Sequence, residues 1–135
     1  MLNESLLAIP VRRECDVSRA RRLATDLAGA MGFPRAAAYR LATTVSELGY
    51  NLVLHTPHGG VIRLHSLQSE GRCGIELAAE DDGPGIPDLA LAMSDGYSTN
   101  HGLGSGLPGS RRLMDEFQIL STPGQGTRVT ARLWR

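Results

Sequence analysis

Aromatic residues make up only 4% of the chain, too few for the stacking platforms on which single-stranded nucleic acids are held. Neither sign of charge is in excess. Lys+Arg and Asp+Glu number 14 each in 135 residues, which removes a broad cationic surface for nucleic acid or anionic membrane from consideration. No apolar run is long enough to span a bilayer, and the opening MLNESLLAIPVRRECD has no basic segment leading into a long apolar one, so no signal peptide is expected. Cysteine is scarce as well. Cys15 and Cys73 stand apart without CxxC spacing, and two reduced, buried thiols in a cytoplasmic protein are expected. The four histidines, His55, His58, His65 and His101, make no metal-ligand pattern. GxxxxGK[ST] is absent, which excludes a P-loop, and neither Cys73 nor Ser98 nor Ser105 has the surroundings of a nucleophile.

What the chain does have is glycine in two dense loops. The stretch from Asp81 to Gly109, DDGPGIPDLALAMSDGYSTNHGLGSGLPG, holds Asp81-x-Gly83-x-Gly85 and then Gly102-x-Gly104-x-Gly106, the second running into a helix-like segment. Glycine lets backbone N–H groups approach a ligand closely. A carboxylate accepts from an exocyclic amino group, whereas glycine amides and a helix N-terminus bind phosphate. The two loops therefore look like the two ends of one nucleotide site. Gly104-x-Gly106-x-x-Gly109 also fits the dinucleotide fingerprint formally, but it follows the polar Ser98-Thr99-Asn100-His101 rather than a buried strand.

The length and the 41% hydrophobic content fit one domain over residues 1–135. Leu6 to Val11, broken by Pro10, reads as an edge strand. Asp16 is expected to cap a helix from about Val17 to Met31 with Leu23, Leu27 and Ala30 on one face, closed by Gly32. Pro34 suits the first turn of a second helix to about His55 with the stripe Leu41, Val45, Leu48 and Leu52. Val61–Leu67 and Cys73–Glu80 read as a hairpin, Leu89–Met93 as a short helical turn, and Pro108 to about Asp115 as a helix. Phe117–Ser121 and Thr127–Trp134 close the chain as strands. The order β-α-α-β-β-(loops)-α-β-β predicts an α+β fold, a mixed or antiparallel sheet with helices on one face.

Glu47 and Asn51 lie four apart on the second helix and so share a face, in line with Thr44 and His55. Such a line is ordinarily the solvated flank of an amphipathic helix. Beside two nucleotide-binding loops it has a second reading. Magnesium on nucleotide phosphates needs few protein oxygens, of which an Asn carbonyl can be one, and a nearby carboxylate can take a proton from an attacking hydroxyl. In the first loop Asp81 is the better candidate for a base contact, with Asp82 pointing outwards. Arg111 and Arg112 follow the second loop; one of them reaching phosphate and both lying on the surface are equally open.

Taken together these residues resemble the GHKL ATPase superfamily. Glu47-x-x-x-Asn51 resembles its N box, Asp81-x-Gly83-x-Gly85-Ile86 its first glycine box, Gly102-x-Gly104-x-Gly106 its second, and Gly126-Thr127 the last. Within it, DGPGIPD…AMSDGYSTNHGLGSGLPGSRRLMDEF is similar to the small RsbT-type switch serine/threonine kinases, themselves related to anti-sigma kinases of the SpoIIAB and RsbW type. The resemblance implies a Bergerat-type ATP site in a two-layer sandwich. Asp81 would accept from the adenine amino group, with Gly83, Gly85 and Ile86 around it and Thr127 near the base. Asn51 would ligate Mg2+, and Glu47 would be the catalytic base. Gly102, Leu103, Gly104, Ser105, Gly106 and Leu107 would wrap the phosphates under a lid between Pro87 and His101. It further implies a STAS-domain antagonist protein as substrate, phosphorylated on Ser or Thr in a partner-switching or stressosome pathway, and a PP2C-type phosphatase as a second partner. The alternatives are an anti-sigma factor kinase that binds a sigma factor and a non-catalytic module that uses nucleotide as a conformational ligand. The chain departs from its relatives at Leu52, where alanine is frequent, and at Asn100-His101, where a basic residue is.

Overall fold

The computed structural model describes residues 6–86, 93 and 106–135. Alternation of buried and less buried residues marks most of the strands, as expected where one sheet face packs on a core. They are β1 (Leu6–Val11), β2 (Gly60–Ser69), β3 (Arg72–Asp81), β4 (Glu116–Thr122) and β5 (Gly126–Trp134). They form one sheet in the order β1-β2-β3-β5-β4, and the central β3 is buried in runs at Gly74–Ile75 and Leu77–Ala79. Every pairing is antiparallel, so of the two sheet types the sequence allowed, the antiparallel one is present. Leu7, Ile9 and Val11, Ile62 and Leu64, Ile75, Leu77 and Ala79, and Val129, Ala131 and Leu133 belong to one apolar core with the helices.

The other sheet face carries charge. Glu80 pairs with Arg63 at 2.9 Å and with Arg128 at 3.3 Å, and Arg132 with Glu76 at 2.8 Å. Arg128 sits directly across from Glu80 and Arg132 from Glu76 in the register, while Arg63 lies diagonally from Glu80, where opposite charges favour the pairing. At the end of the same face the Arg72 guanidinium lies 4.5 Å from the centre of the Trp134 ring.

Among the described residues three helices cover the apolar face: α1 (Glu14–Ala30), α2 (Arg35–His55) and α3 (Gly106–Leu113). Helix α1 starts earlier than its sequence suggests. Arg13 is the N-cap, and Asp16 sits at the third helical position, its Oδ2 accepting the amides of Arg12 at 3.0 Å and Arg13 at 3.1 Å. Those amide bonds hold the Asp16 carboxyl below its ordinary pKa. The inner face of α1 is also turned from the one expected to hold the apolar line: Val17, Ala20, Ala24 and Ala28 are buried, whereas Leu23 and Leu27 are half-buried and Ala30 is exposed. Small residues let α1 approach α2 so closely that a Cβ on Gly49 would lie 3.0 Å from Val17. Arg21 crosses the same seam, donating to Ser46 Oγ at 2.8 Å and the Ala42 carbonyl at 3.3 Å. Cys15, expected inside, is exposed because it lies on the outer side of this turned helix, and Cys73 is half-buried.

Helix α2 keeps the expected stripe, with Leu41, Val45, Leu48 and Leu52 buried, and Pro34 precedes the helix as its N-cap. Helix α3 begins at Gly106, two residues before the Pro108 expected to open it. Among the described residues no helix is long and apolar enough to cross a membrane.

The turn after α2 is fixed by one glycine. Gly59 has φ +70°, and a Cβ there would lie 2.1 Å from the Val11 carbonyl oxygen. Gly59→Ala should therefore lose at least about 1–3 kcal/mol of stability, from backbone strain alone, with the collision adding to it. Urea denaturation checks this; an unchanged midpoint would show that β1 is free to move away.

Candidate functional site

Helix α2 positions the first two candidates. Its apolar stripe holds one side against the sheet, and the neighbouring line of polar residues is drawn inside with it. Thr44 is fully buried, its Oγ1 donating to the Arg40 carbonyl at 2.9 Å. Glu47 is 1% exposed. Both Glu47 carboxylate oxygens and Asn51 Oδ1 are buried without a hydrogen-bond partner among the described residues. The solvated-flank reading of this line is thus wrong for Thr44 and Glu47, and holds for His55, which is exposed at the helix end. Burial pushes the Glu47 carboxyl up to about 7, because a charge in a poorly solvated place disfavours its own ionised form.

Strand ends supply the opposite wall. Asp81, Thr127 and Ser121 lie in one row across β3, β5 and β4. Alternation points them to the helix side, the same side as Ala79, Val129 and Ile119, so a polar row ends an otherwise apolar floor. Asp81 Oδ1 accepts the Gly83 amide at 2.8 Å. Burial raises the Asp81 pKa, opposed by the Gly83 amide, while the charge of Asp82 adds to the rise and the Thr127 amide opposes it. Asp82 is exposed, as expected.

Ser121 was not among the sequence candidates, yet it ties the site together. Its Oγ accepts the Ile86 amide at 2.7 Å and lies 3.0 Å from Thr127 Oγ1. The inward alternation Phe117, Ile119, Ser121 was the signal that could have found it. The loop from Asp82 to Ile86 is thus fastened to β4 by Ser121 and to the β4–β5 turn by the Gly124 amide, which donates to the Pro84 carbonyl at 2.8 Å. Gly126, with φ +118°, lets β5 start where a Cβ would lie 2.1 Å from the Asp81 carbonyl oxygen.

The first glycine loop rests against the C-terminal end of α2, since a Cβ on Gly83 would lie 3.5 Å from both Thr56 and Pro57. Ile86 and Met93 pack on the same core as Leu52. Helix α3 packs along α2 with Leu107 in the core. Ser110 is buried there, its Oγ unpartnered among the described residues. Arg111 and Arg112 are exposed on α3. Gly102, Leu103, Gly104 and Ser105, the expected lid and the turn at Leu89–Met93, Met93 itself apart, lie outside the described residues.

This donor set fits one kind of cation. No group of three or more His, Cys, Asp or Glu side chains could hold a metal among the described residues, so a cage made by protein alone is not built here. One buried amide oxygen with free lone pairs, beside a carboxylate, suits a hard ion bound mainly through a ligand's phosphates and water.

A profile of the histidine kinase-, DNA gyrase B- and HSP90-like ATPases matches residues 36–135. The chain belongs to that family. Among curated members it is 41% identical to the serine/threonine-protein kinase RsbT of Bacillus subtilis, over 93% of this chain and 94% of that one. It is 33% identical to an anti-sigma F factor of Thermoanaerobacter, over 66% of this chain and 64% of that one. In fold it is similar to the RsbU and RsbW domains of a Mycobacterium tuberculosis protein, with a TM-score of 0.64 and 14% identity over 99% of this chain and 33% of that one. The catalytic domain of the histidine kinase ThkA superposes with a TM-score of 0.52 and 14% identity, over 96% and 97% of the two chains.

The Glu47 carboxyl has a thermodynamic signature in this ATPase-family fold. Its folded pKa lies above its unfolded one, so between about pH 4.5 and 7 the folded state holds the extra proton and stability falls as pH rises. The loss reaches about 3 kcal/mol at most. Glu47→Gln should flatten that part of the profile, measured by urea denaturation without nucleotide from pH 4.5 to 8. Parallel profiles would place the carboxyl in water.

Proposed function

We propose that this GHKL-family serine/threonine-protein kinase transfers the γ-phosphoryl group of ATP to a serine or threonine of a STAS-domain protein, as a switch in a partner-switching pathway. The observation that carries the reading is the buried carboxylate of Glu47 one helical turn from the Asn51 carbonyl, both without a hydrogen-bond partner among the described residues. A module that merely bound nucleotide would have no use for an unsatisfied buried acid, which costs stability. The 41% identity to a serine/threonine-protein kinase supports it. The anti-sigma F factor relatives, matched over two thirds of this chain, support a protein partner and keep a sigma factor as the second reading. A PP2C-type phosphatase is proposed as the partner that the free kinase engages.

In the reaction, the hydroxyl oxygen of the substrate forms a bond to the γ-phosphorus as the bond from that phosphorus to the β-γ bridging oxygen breaks, and ADP leaves with that electron pair. Glu47 takes the hydroxyl proton. Its raised pKa suits the task, because a base works best with a pKa near the working pH. Asp81 accepts from the adenine amino group, held in place by the Gly83 amide, with Thr127 and Ser121 beside it. Gly83, Gly85 and Ile86 shape the loop around the base, and Gly106 and Leu107 bring the start of α3 to the phosphates. Asn51 would offer its carbonyl oxygen to Mg2+, which would neutralise phosphate charge when bound.

Asp81→Asn turns an acceptor into a group that also carries a donor. ATP affinity should fall by about 1–3 kcal/mol, and Asn51→Ala should weaken binding only when magnesium is present. Calorimetric titration with and without EDTA separates the two, and unchanged affinity in Asp81→Asn would sink the adenine assignment.

Glu47→Gln should keep ATP affinity while single-turnover phosphotransfer to a recombinant STAS-domain protein falls about 10²–10⁴-fold. In the wild type the rate should rise with pH through about 7, as the base form appears. A Gln variant as fast as wild type would remove Glu47 from the chemistry.

A further inference from the structure

Arg40 is absorbed by none of the roles given so far, and it joins the two elements that face each other across the site. It stands seven residues before Glu47 and eleven before Asn51 on α2, close to whole numbers of turns, so all three share one side of the helix. Its Nε donates to the carbonyl of Leu113 at 2.8 Å. Leu113 is the last residue of α3, and its carbonyl is one that a helix end leaves without an internal partner. A cation there also meets the negative end of the helix dipole. The second arm of the guanidinium reaches Asp115 at 3.6 Å, both side chains being about 40% exposed. A solvated pair of that length contributes little, so the carbonyl bond is the part that holds.

Asp115 is itself fixed. Its amide donates to the Arg132 carbonyl at 2.9 Å, and its Oδ2 accepts the Trp134 amide at 2.8 Å. Arg40 therefore fastens α2 to the C-terminal end of a short strut whose foot is anchored in the sheet. Eight helical residues span about 12 Å, and Arg40 to Glu47 is a rise of about 10.5 Å. The strut thus matches the distance from its fastening to the catalytic level of α2.

We propose that Arg40 is a positioning residue for phosphoryl transfer: by capping the Leu113 carbonyl it fixes the N-terminal end of α3, Gly106 and Leu107, relative to Glu47 and Asn51. The inference rests on the kinase reading above, in which that end of α3 faces the phosphates while Asp81 holds the adenine. Arg40 touches neither ATP nor the protein substrate, and its effect is confined to the phosphate end.

The test compares two nucleotides that share an adenosine and differ in phosphates. For the wild type, Arg40→Ala, Arg40→Lys and Asp115→Asn, affinities for Mg-AMP-PNP are measured by calorimetry and for AMP by ligand-observed NMR, both corrected for the folded fraction. Arg40→Ala should weaken AMP-PNP about tenfold and leave AMP within twofold. Arg40→Lys, which can still donate to Leu113, should recover most of the loss, and Asp115→Asn should stay near wild type. Equal losses for both nucleotides in Arg40→Ala would reduce Arg40 to a structural residue, and no loss for either would overturn the proposal outright. A wild-type protein that binds neither nucleotide would instead overturn the kinase reading, and the positioning role with it.

Discussion

The packing of α2 on the sheet decides the rest of the molecule. Leu41, Val45, Leu48 and Leu52 enter the core at spacings four, three and four, each contributing about 1.5–3 kcal/mol when fully buried. That sum exceeds the few kcal/mol lost by carrying Glu47 inside with them. Thr44 and Glu47 are adjacent to the stripe on the cylinder, so they cannot stay in water once the stripe has gone in. A helix seated by leucine and valine thus delivers an acid and an amide oxygen to a place where neither finds a partner among the described residues, and the site is made of what the core has displaced.

The second constraint is the antiparallel register at the end of the sheet. Asp81 meets Thr127, and Thr127 meets Ser121, because the strands alternate with period two and their last inward positions are polar. Gly126 allows β5 to begin close enough for that row to form. The loop after Asp81 is then held through three backbone amides, Gly83 to the Asp81 carboxylate, Ile86 to Ser121 Oγ and Gly124 to the Pro84 carbonyl. Charge pairs such as Arg63–Glu80 and Arg132–Glu76 are left to the opposite face, where water moderates them.

Much of this was legible in the sequence. The α2 stripe stands out because its period is helical and uninterrupted, and the hairpin of β2 and β3 because polar and apolar residues alternate on both sides of Glu70-Gly71. The boxes at Glu47–Asn51 and Asp81–Ile86 stand out because few other arrangements put acid, amide and glycine in that order. What escaped was set by tertiary contact. The alanines of α1 look indifferent next to Leu23 and Leu27, but only small residues allow the close crossing at Gly49, so they take the inside. Asp16 looked like a cap because it is a good one; it caps from the third position of a helix that had already begun. Ser121 and Arg40 act through single hydrogen bonds to distant backbone, which leave no periodic trace.

A carboxyl that titrates at about pH 7 also divides the population. Near that pH the uncharged and the negatively charged forms of the carboxyl are both populated. Whatever ionises Glu47 must expel a proton to the buffer, so heats of ligand binding would depend on which buffer receives it. The protein is in this sense two reagents in exchange, and the surrounding pH sets how much of each is on hand.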